Sequence, residues 1–234
     1  MSETAKLGLP LVAPAQAQKH VTVNESLTRL DALVQLSLGS IGATVPPGSP
    51  AEGDAHAVGV GATEAWAGQD GALAVFVNGG WVFLTPEAGW QGWAGGARVQ
   101  FDGAAWVVGA GALSANGAGF VHRTVEVDHA VQIGGTSLVA SFIPANSVVY
   151  GITGRVLSDV GGATTLEIGV AGSGDRYGSG IGTVSGAWLR GLTGTPLTYY
   201  SDTDLLLTAV GGDFTGTGSI RFAVHFAELT LPRA

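Results

Sequence analysis

The chain begins with an apolar opening that two prolines interrupt, LGLPLVAP at residues 7–14. Each proline fixes its backbone φ angle and removes a hydrogen-bond donor, so this stretch can be neither a helix nor a central β-strand. We expect it to lie extended over a surface. Because it is apolar, we interpret it as an arm that packs against a neighbouring chain.

One helix is predicted after this arm. Thr22 and Glu25 have the spacing of a capping box, in which a hydroxyl and a carboxylate each satisfy a backbone donor at the helix start. Leucine and valine then recur at spacings of three and four residues up to about Leu38, which predicts a helix with a wide apolar face. Gly39 is placed to end this helix. Such a wide apolar face packs either on a sheet or in a bundle of copies about a symmetry axis, and we favour the bundle. The residues predicted for this oligomer contact are Leu27, Leu30, Val34 and Leu38.

The rest of the chain is typical of a β protein. Glycine supplies 39 of the 234 residues without a collagen-like period, between short runs rich in Val, Ile, Thr and Trp. This pattern predicts a mostly β chain with many tight turns. Charged residues make up only 12% of the chain, against about 25% in an ordinary domain. We attribute the missing surface charge to contacts between subunits.

Composition also excludes several classes of partner. The formal net charge is −8 with 10 basic residues, which argues against nucleic-acid binding. No apolar stretch has the length of a membrane span, so we expect no membrane insertion. Without cysteine the chain can form neither disulfides nor thiolate metal sites.

A repeated pattern predicts a Trp-containing hairpin module over residues 45–110. In each copy a Trp-Ala-Gly triplet, at 66–68 or 93–95, precedes a strand, a turn and a second strand that begins near Trp81 or Trp106. The turns are Asn78-Gly79 and Asp102-Gly103, the dipeptides that tight hairpin turns favour.

Alternating apolar and polar residues in 121–127 and 220–226 predict half-buried strands. We therefore predict a C-terminal antiparallel β-sandwich, jelly-roll-like, over residues 120–234. Residues 172–182, rich in glycine, are interpreted as one long loop. The predicted order is an N-terminal attachment arm and helix (1–44), the hairpin module (45–110) and the sandwich (120–234).

The common catalytic signatures are missing, so we predict a protein that is not an enzyme and that needs no cofactor or metal. One alternative stays open. Glu126 and Asp128 would project from one face of a strand, where they could act as the acid and base of a glycan depolymerase. Asp202 and Asp204 could bind a hard cation, although capping a turn is the simpler interpretation.

Seven residues of the C-terminal part have the chemistry of a sugar-binding surface. Aromatic rings stack on a pyranose, while carboxylates and guanidinium groups form paired hydrogen bonds with its hydroxyls. Packing of Trp188 and Tyr199 in the core or between subunits is an equal alternative. One such site would bind at about millimolar concentration, so display on an oligomer would supply avidity. The candidates are Asp175, Arg176, Tyr177, Trp188, Arg190, Tyr199 and Tyr200.

The motif APAQAQKHVTVNE at residues 13–25 resembles the hallmark opening of a family of bacteriophage and gene-transfer-agent proteins, which includes tail-fibre and head-spike components. The segments GGW at 79–81, WLRG at 188–191 and GGDF at 211–214 are similar to later regions of that family. The resemblance implies a virion component that attaches by its N-terminal part and presents a distal domain to the bacterial surface, often its polysaccharide. It supplies no catalytic residues.

We therefore predict a homo-oligomeric head spike or tail fibre, assembled in the bacterial cytoplasm and located in the virion. Its expected partners are capsid or tail proteins, other spike or fibre subunits and host capsular polysaccharide. Besides the depolymerase, a purely structural spike base that carries another spike subunit remains an alternative. The residues predicted to attach the protein to the particle are Leu9, Pro10, Gln16, Gln18, Lys19 and His20.

Overall fold

The computed structural model describes residues 3–12 and 19–234, without the side chains of Lys19 and His20. It divides into two compact units, one formed by Met1–Ala118 with Pro232–Ala234 and the other by Gly119–Leu231. The segments 1–44 and 45–110 of the sequence analysis both lie in the first unit. Strands account for 54% of the residues, which confirms the prediction of a mostly β chain. The described residues contain no helix with the length and hydropathy of a membrane span.

The first unit contains two sheets of the same design. The elements are α1 (Lys19–Leu33), β1 (Ser37–Leu38), β2 (Ser40–Ala43), β3 (Ala55–Val58), a 3₁₀ turn (Glu64–Trp66), β4 (Leu73–Val77), β5 (Gly80–Leu84), β6 (Gln91–Ala94), β7 (Ala97–Phe101), β8 (Trp106–Val108) and β9 (Ala110–Leu113). In each sheet three antiparallel strands form a meander and one short strand joins its edge in parallel, giving the orders β2-β3-β4-β5 and β1-β6-β7-β8.

The helix differs from the prediction at both ends. It begins at Lys19, so the predicted capping box is wrong, and Glu25 accepts a hydrogen bond from Arg29 at 2.9 Å within the helix. The helix ends at Leu33, and the positive φ of Gln35, 56°, turns the chain out of it. A left-handed residue just past the last helical turn is a common way to end a helix.

The predicted oligomer contact is only partly on the helix. Leu27 is half-buried, whereas Leu30 and Val34 are 51% and 45% exposed. Leu38 is buried in β1, because the chain has already left the helix. Packing of copies along this helix stays a prediction.

Gly39 does not end the helix; it carries the chain from one sheet of the first unit to the other. Its N–H donates a hydrogen bond to the carbonyl of Ala55 at 2.8 Å. A Cβ on Gly39 would lie 2.7 Å from Cε1 of His56, closer than real Cβ contacts come. Close approach to His56 therefore explains the glycine.

Both predicted Trp hairpins are present. Asn78 and Gly79 join β4 to β5 with φ angles of 52° and 76°, the two positive values that a type I′ turn requires. Trp81 closes over the partner strand, with its ring centroid 5.1 Å from that of Phe76.

The second hairpin has a longer turn. Phe101 pairs with Trp106, so four residues connect β7 to β8, and their ring centroids are 5.4 Å apart. The Asp102 carboxylate accepts hydrogen bonds from the N–H groups of Ala104 and Ala105, both at 2.9 Å. An Asx turn therefore replaces the two-residue turn of the first copy.

The N-terminal segment folds onto its own helix. Its residues 4–9 form a loop closed by the Thr4 N–H on the Leu9 carbonyl at 3.0 Å and by the Leu9 N–H on the Thr4 hydroxyl at 2.9 Å. The carboxylate of Asp31 accepts hydrogen bonds from the Thr4 hydroxyl (2.8 Å), from the Lys6 N–H (2.9 Å) and from the Leu7 N–H. Residues 4–9 therefore contact their own helix, and packing of the predicted arm against a neighbouring chain stays a prediction. Asp31 lies on α1, so its carboxylate holds the loop of residues 4–9 against the folded first unit.

The second unit is a sandwich of two antiparallel sheets. Its strands are β10 (Gly119–Ala130), β11 (Ile133–Gly134), β12 (Thr136–Ile143), β13 (Ser147–Ser158), β14 (Thr165–Val170), β15 (Ser173–Gly182), β16 (Trp188–Tyr199), β17 (Thr203–Val210), β18 (Phe214–Thr215) and β19 (Ser219–Thr230). Within this unit the eight long strands contribute four to each sheet, in the orders β16-β13-β19-β10 and β12-β17-β14-β15. Ile152 and Phe222 of one sheet and Ile168 and Leu207 of the other share one buried core. The order of the eight long strands is that of a jelly roll, so the predicted fold class is confirmed.

Residues 172–182 are not the predicted loop. Residues Ser173–Gly182 form β15, an edge strand whose pairing with β14 is interrupted by two register shifts. Glycines are common where an edge strand bulges, and their abundance here resembles a loop in the sequence.

Candidate functional site

An open cleft lies on the outer face of the sheet β16-β13-β19-β10, the face opposite the jelly-roll core. Its volume is about 590 Å³. Strand pairing places Trp188, Arg155, Arg221 and Asp128 in one row across the sheet, since each is the Cα partner of the next. The adjacent row contains Arg190 of β16 and Glu126 of β10. We call this site the arginine cleft; it is lined by Glu126, Thr153, Arg155, Trp188, Arg190 and Arg221.

The alternation of β16 explains why Trp188 and Arg190 face outward. Leu189 between them is buried in the core, and successive side chains of a strand point to opposite faces. Trp188 is 63% exposed, and the guanidinium carbon of Arg190 lies 5.9 Å from its ring centroid. This distance is that of a cation–π contact, which leaves much of the indole open to solvent.

Arg155 and Arg221 carry like charges directly across from each other. Arg221 is paired with Asp128 through two hydrogen bonds of 2.6 and 2.7 Å and lies 3.6 Å from Glu126. Arg155 donates one longer hydrogen bond, of 3.3 Å, to the carbonyl of Gly186. The charge of Arg155 therefore has a weaker partner than that of Arg221.

The structure separates the predicted sugar-binding residues. Trp188 and Arg190 lie in the arginine cleft. Tyr177 and Tyr199 belong to the core, where their hydroxyls are 2.7 Å apart, so they cannot stack on a sugar. Burial and the hydrogen bond to Tyr199 raise the pKa of Tyr177 well above its usual value.

The other predicted members lie apart from the cleft lining. Arg176, on β15 of the opposite sheet, donates a hydrogen bond to the Tyr199 hydroxyl at 3.1 Å. Asp175 is an exposed residue of the same strand, and Tyr200 is 82% exposed just beyond β16. The seven predicted residues therefore do not form one surface.

Glu126 and Asp128 do project from one face of β10, as the depolymerase alternative requires. The hydrogen bonds from Arg221 hold the pKa of Asp128 below its usual value. A general acid needs a raised pKa, so the ion pair makes Asp128 unsuited to that role.

Asp202 and Asp204 cap backbone groups. Asp202 accepts a hydrogen bond from the N–H of Ala145 at 2.8 Å, and Asp204 from the N–H of Ser141 at 2.7 Å. Ser141 has a positive φ of 49° within β12, where the pairing register shifts between Val139 and Ile143, so the Asp204 contact supports a strained bulge in this strand. No cluster of metal-ligating side chains is found in the described part of the chain.

The predicted attachment residues are only partly described. Leu9 is half-buried and Pro10 is exposed, in the segment bound to Asp31. Gln16 and Gln18 lie outside the described residues, as do the side chains of Lys19 and His20. A role of these residues in attachment stays a prediction.

Sequence reasoning missed Arg155 and Arg221 as members of the site. Both occupy exposed positions of strands in a chain that contains only 10 basic residues, which was an available signal. Their proximity to Trp188 depends on pairing between strands that are far apart in the sequence.

Residues 23–112 match a family model described as "Protein of unknown function (DUF2793)", which covers less than half of the chain. No curated protein matches. A solved structure titled "Cyanophage Pam1 capsid asymmetric unit" is similar to 51% of this chain and 91% of its own, with 24% identity and a TM-score of 0.35. A TM-score of this size does not establish a shared fold.

Proposed function

We propose that the protein is a structural component of a phage or gene-transfer-agent particle, a head spike or tail fibre. Its N-terminal unit attaches to capsid or tail proteins, and its jelly-roll unit presents the arginine cleft to host-surface polysaccharide. The resemblance of residues 13–25 to the opening of such proteins supports the assignment to a particle. Jelly rolls occur in viral capsid proteins and in lectins, which is compatible with both parts of the proposal.

The observation that carries the binding role is the exposed indole of Trp188 beside an arginine in an open cleft. Tryptophan is usually well buried, yet this ring is 63% exposed. An indole offers a flat apolar surface, which suits stacking on a pyranose. The cleft volume of about 590 Å³ lies within the usual range of about 300–1,000 Å³ for ligand sites.

Oligomerisation would make a weak site useful. A shallow cleft binds a sugar at about millimolar concentration, and joining several copies raises the apparent affinity by about 10²–10⁴. The exposed apolar side chains of Leu30 and Val34 are available for contacts between copies. We propose a homo-oligomer for this reason.

We propose further that the protein binds glycan without cleaving it. The ion pair of Asp128 with Arg221 supports this, because two hydrogen bonds already occupy the carboxylate that a depolymerase would need free to act on water or on the sugar. Incubation with host polysaccharide should release no new reducing ends. Release that is lost in Glu126→Gln would establish the depolymerase instead.

The test of the proposed function combines location with adsorption. Gold-labelled antibodies should find the protein on the outside of purified particles. Trp188→Ala should leave its incorporation unchanged and lower adsorption of particles to host cells. Trp93→Ala is the matched control, since this indole is 53% exposed in the first unit.

The alternatives give different results. If Trp188→Ala lowers incorporation rather than adsorption, the cleft packs against another subunit and the protein is a structural spike base. Absence of the protein from purified particles would refute the proposal as a whole.

A further inference from the structure

The arginine cleft contains a charge arrangement that its own residues do not balance. Arg155 and Arg221 are cross-strand partners on adjacent strands. Like charges that face each other across a sheet destabilise it. Such a pair is unfavourable unless an anion is shared between or beside the two side chains.

The acidic residues of the cleft compensate only one of its arginines. Asp128 holds Arg221 with two hydrogen bonds, and Glu126 approaches the same guanidinium. Among residues 3–12 and 19–234, no ion pair involves Arg155 or Arg190. Arg155 donates one hydrogen bond to Gly186, and Arg190 lies near the Trp188 ring, so both guanidinium groups keep N–H donors for an anionic ligand, in a chain whose net charge is −8.

The two available arginines are close neighbours. Arg155 is the Cα partner of Trp188, and Arg190 follows Trp188 by two residues on the same face, so Arg155 and Arg190 are diagonal neighbours. Diagonal positions in a sheet lie about 7–8 Å apart, within reach of long side chains. Guanidinium groups bind carboxylates and phosphates through paired hydrogen bonds.

We infer that the arginine cleft binds an acidic sugar, with the ring stacked on Trp188 and its anionic substituent held by Arg155 and Arg190. This rests on the proposed function and narrows the polysaccharide to one that carries carboxylate or phosphate groups. An acidic segment of another protein would satisfy the arginines equally. The open indole beside them favours a sugar.

The indole N–H signal of Trp188 in a ¹H–¹⁵N NMR spectrum of the full chain provides a local probe. Trp188 is the only tryptophan in residues 119–231, and loss of its signal in Trp188→Phe identifies it. The ligands are tetragalacturonate for the carboxylate, glucose 6-phosphate for the phosphate, and maltotetraose and glucose as their neutral counterparts. We expect the better acidic ligand to bind about tenfold more tightly than its counterpart at low salt. Salt at about 0.5 M should reduce that preference, because exposed charges are screened.

Variants test which arginines cause the preference for acidic ligands. Arg155→Gln and Arg190→Gln should each remove it, while Arg98→Gln should not. Arg98 is an exposed residue of the first unit, and its replacement changes the net charge equally. The melting temperature of Arg155→Gln should not fall, because this change removes a repulsion across the sheet.

Each opposite result has a distinct meaning. If acidic and neutral sugars move the Trp188 signal at equal concentrations and Arg155→Gln has no effect, the inference is wrong while the proposed function stands. If no sugar moves the signal, the inference and the proposed glycan binding of the cleft both fail, while the proposed location in the particle is tested separately by the antibody labelling. If Arg98→Gln loses the preference for acidic ligands to the same extent, the preference comes from the overall charge of the chain. If Arg155→Gln has a lower melting temperature, Arg155 stabilises the fold and is not reserved for a ligand. Both of these outcomes would overturn the inference.

Discussion

Replacement of Asp31 by alanine should release the N-terminal segment and destabilise the first unit. Asp31 is 4% exposed, and its carboxylate joins the helix to Thr4, Lys6 and Leu7. Alanine keeps the helix but removes every acceptor, so the hydroxyl of the buried Thr4 loses its acceptor and keeps only the hydrogen bond that it accepts from the Leu9 N–H.

The expected loss follows from these contacts. A hydrogen bond contributes about 1 kcal/mol net, and one to a charged group about 1.5–3 kcal/mol. The residues Lys6 and Leu7 are exposed, so their N–H groups can bond to water once the loop detaches, which limits the loss. We therefore expect about 1 kcal/mol for each of the three contacts, or about 3 kcal/mol in the free energy of unfolding.

Urea denaturation followed by tryptophan emission would measure this loss. Five of the six tryptophans lie in the first unit, so the signal reports mainly on it. With a slope of about 2 kcal/mol per molar urea, the midpoint should fall by about 1.5 M. Trypsin should also cut faster after Lys6, and mass spectrometry would detect the shortened chain.

Arg29→Ala is the matched control on the same helix. It removes an ion pair with Glu25 whose side chains are 56% and 61% exposed, so the midpoint should move by less than about 0.3 M. If Asp31→Ala moves it no further than Arg29→Ala and leaves cleavage at Lys6 unchanged, Asp31 does not hold the segment.

The pH dependence provides a second check of the same contact. Burial raises the pKa of Asp31, but the hydrogen bonds from Leu7, Lys6 and Thr4 outweigh burial and lower it below its ordinary value of 3.8. The stabilisation is therefore present above about pH 4 and is lost as the pH falls through the folded-state pKa. Asp31→Ala should lack this part of the acid destabilisation, and an unchanged acid profile would contradict the assignment.

Three further predictions concern other parts of the molecule. Asp128→Asn should increase the affinity of the cleft for tetragalacturonate in the Trp188 assay, because it removes the carboxylate that occupies Arg221; weaker binding would contradict this. Gly39→Ala should lower the free energy of unfolding by about 1–3 kcal/mol through the clash with His56, whereas Gly48→Ala, with open space around its Cβ, should change it by less than about 0.5 kcal/mol in the same urea titration. Burial lowers the pKa of His56 below 6.5, so its contribution to the free energy of unfolding is present above about pH 6.5 and is lost as the pH falls through the folded-state pKa. His56→Gln should therefore reduce the fall of the urea midpoint of the first unit below about pH 6.5, and an unchanged fall would contradict this.

Local patterns predicted the hairpins and many strands well. The dipeptide Asn78-Gly79 adopts the two positive φ angles that its residues tolerate, wherever the hairpin lies in the fold. Alternation in 220–226 places Phe222 in the core and Arg221 on the outer face. These features depend on residues that are close in the sequence.

The helix shows where local patterns fail. A three-residue spacing of Thr22 and Glu25 satisfies the capping rule, yet the helix already includes both residues. Leu36 and Leu38 continue the apolar pattern, but their burial at the β1 sheet draws the chain out of the helix. Burial against distant strands outweighed helical periodicity.

The candidate site was predictable only in part. Trp188 and Arg190 are two residues apart on one strand, so the sequence alone determined that they share a face. Tyr177 and Tyr199 carry aromatic rings like those that stack on sugars, so the sequence did not distinguish them from binding residues. Only the tertiary structure decided that they fill the core.

The sequence by itself thus determined the β character, the hairpin turns and the alternation of individual strands, because these follow from contacts between residues near one another in the chain. The tertiary structure decided that the N-terminal segment binds Asp31, and that Arg155 faces Arg221 beside Trp188. The physical reason is that cross-strand neighbours depend on the register between distant segments, which the burial of the whole core selects.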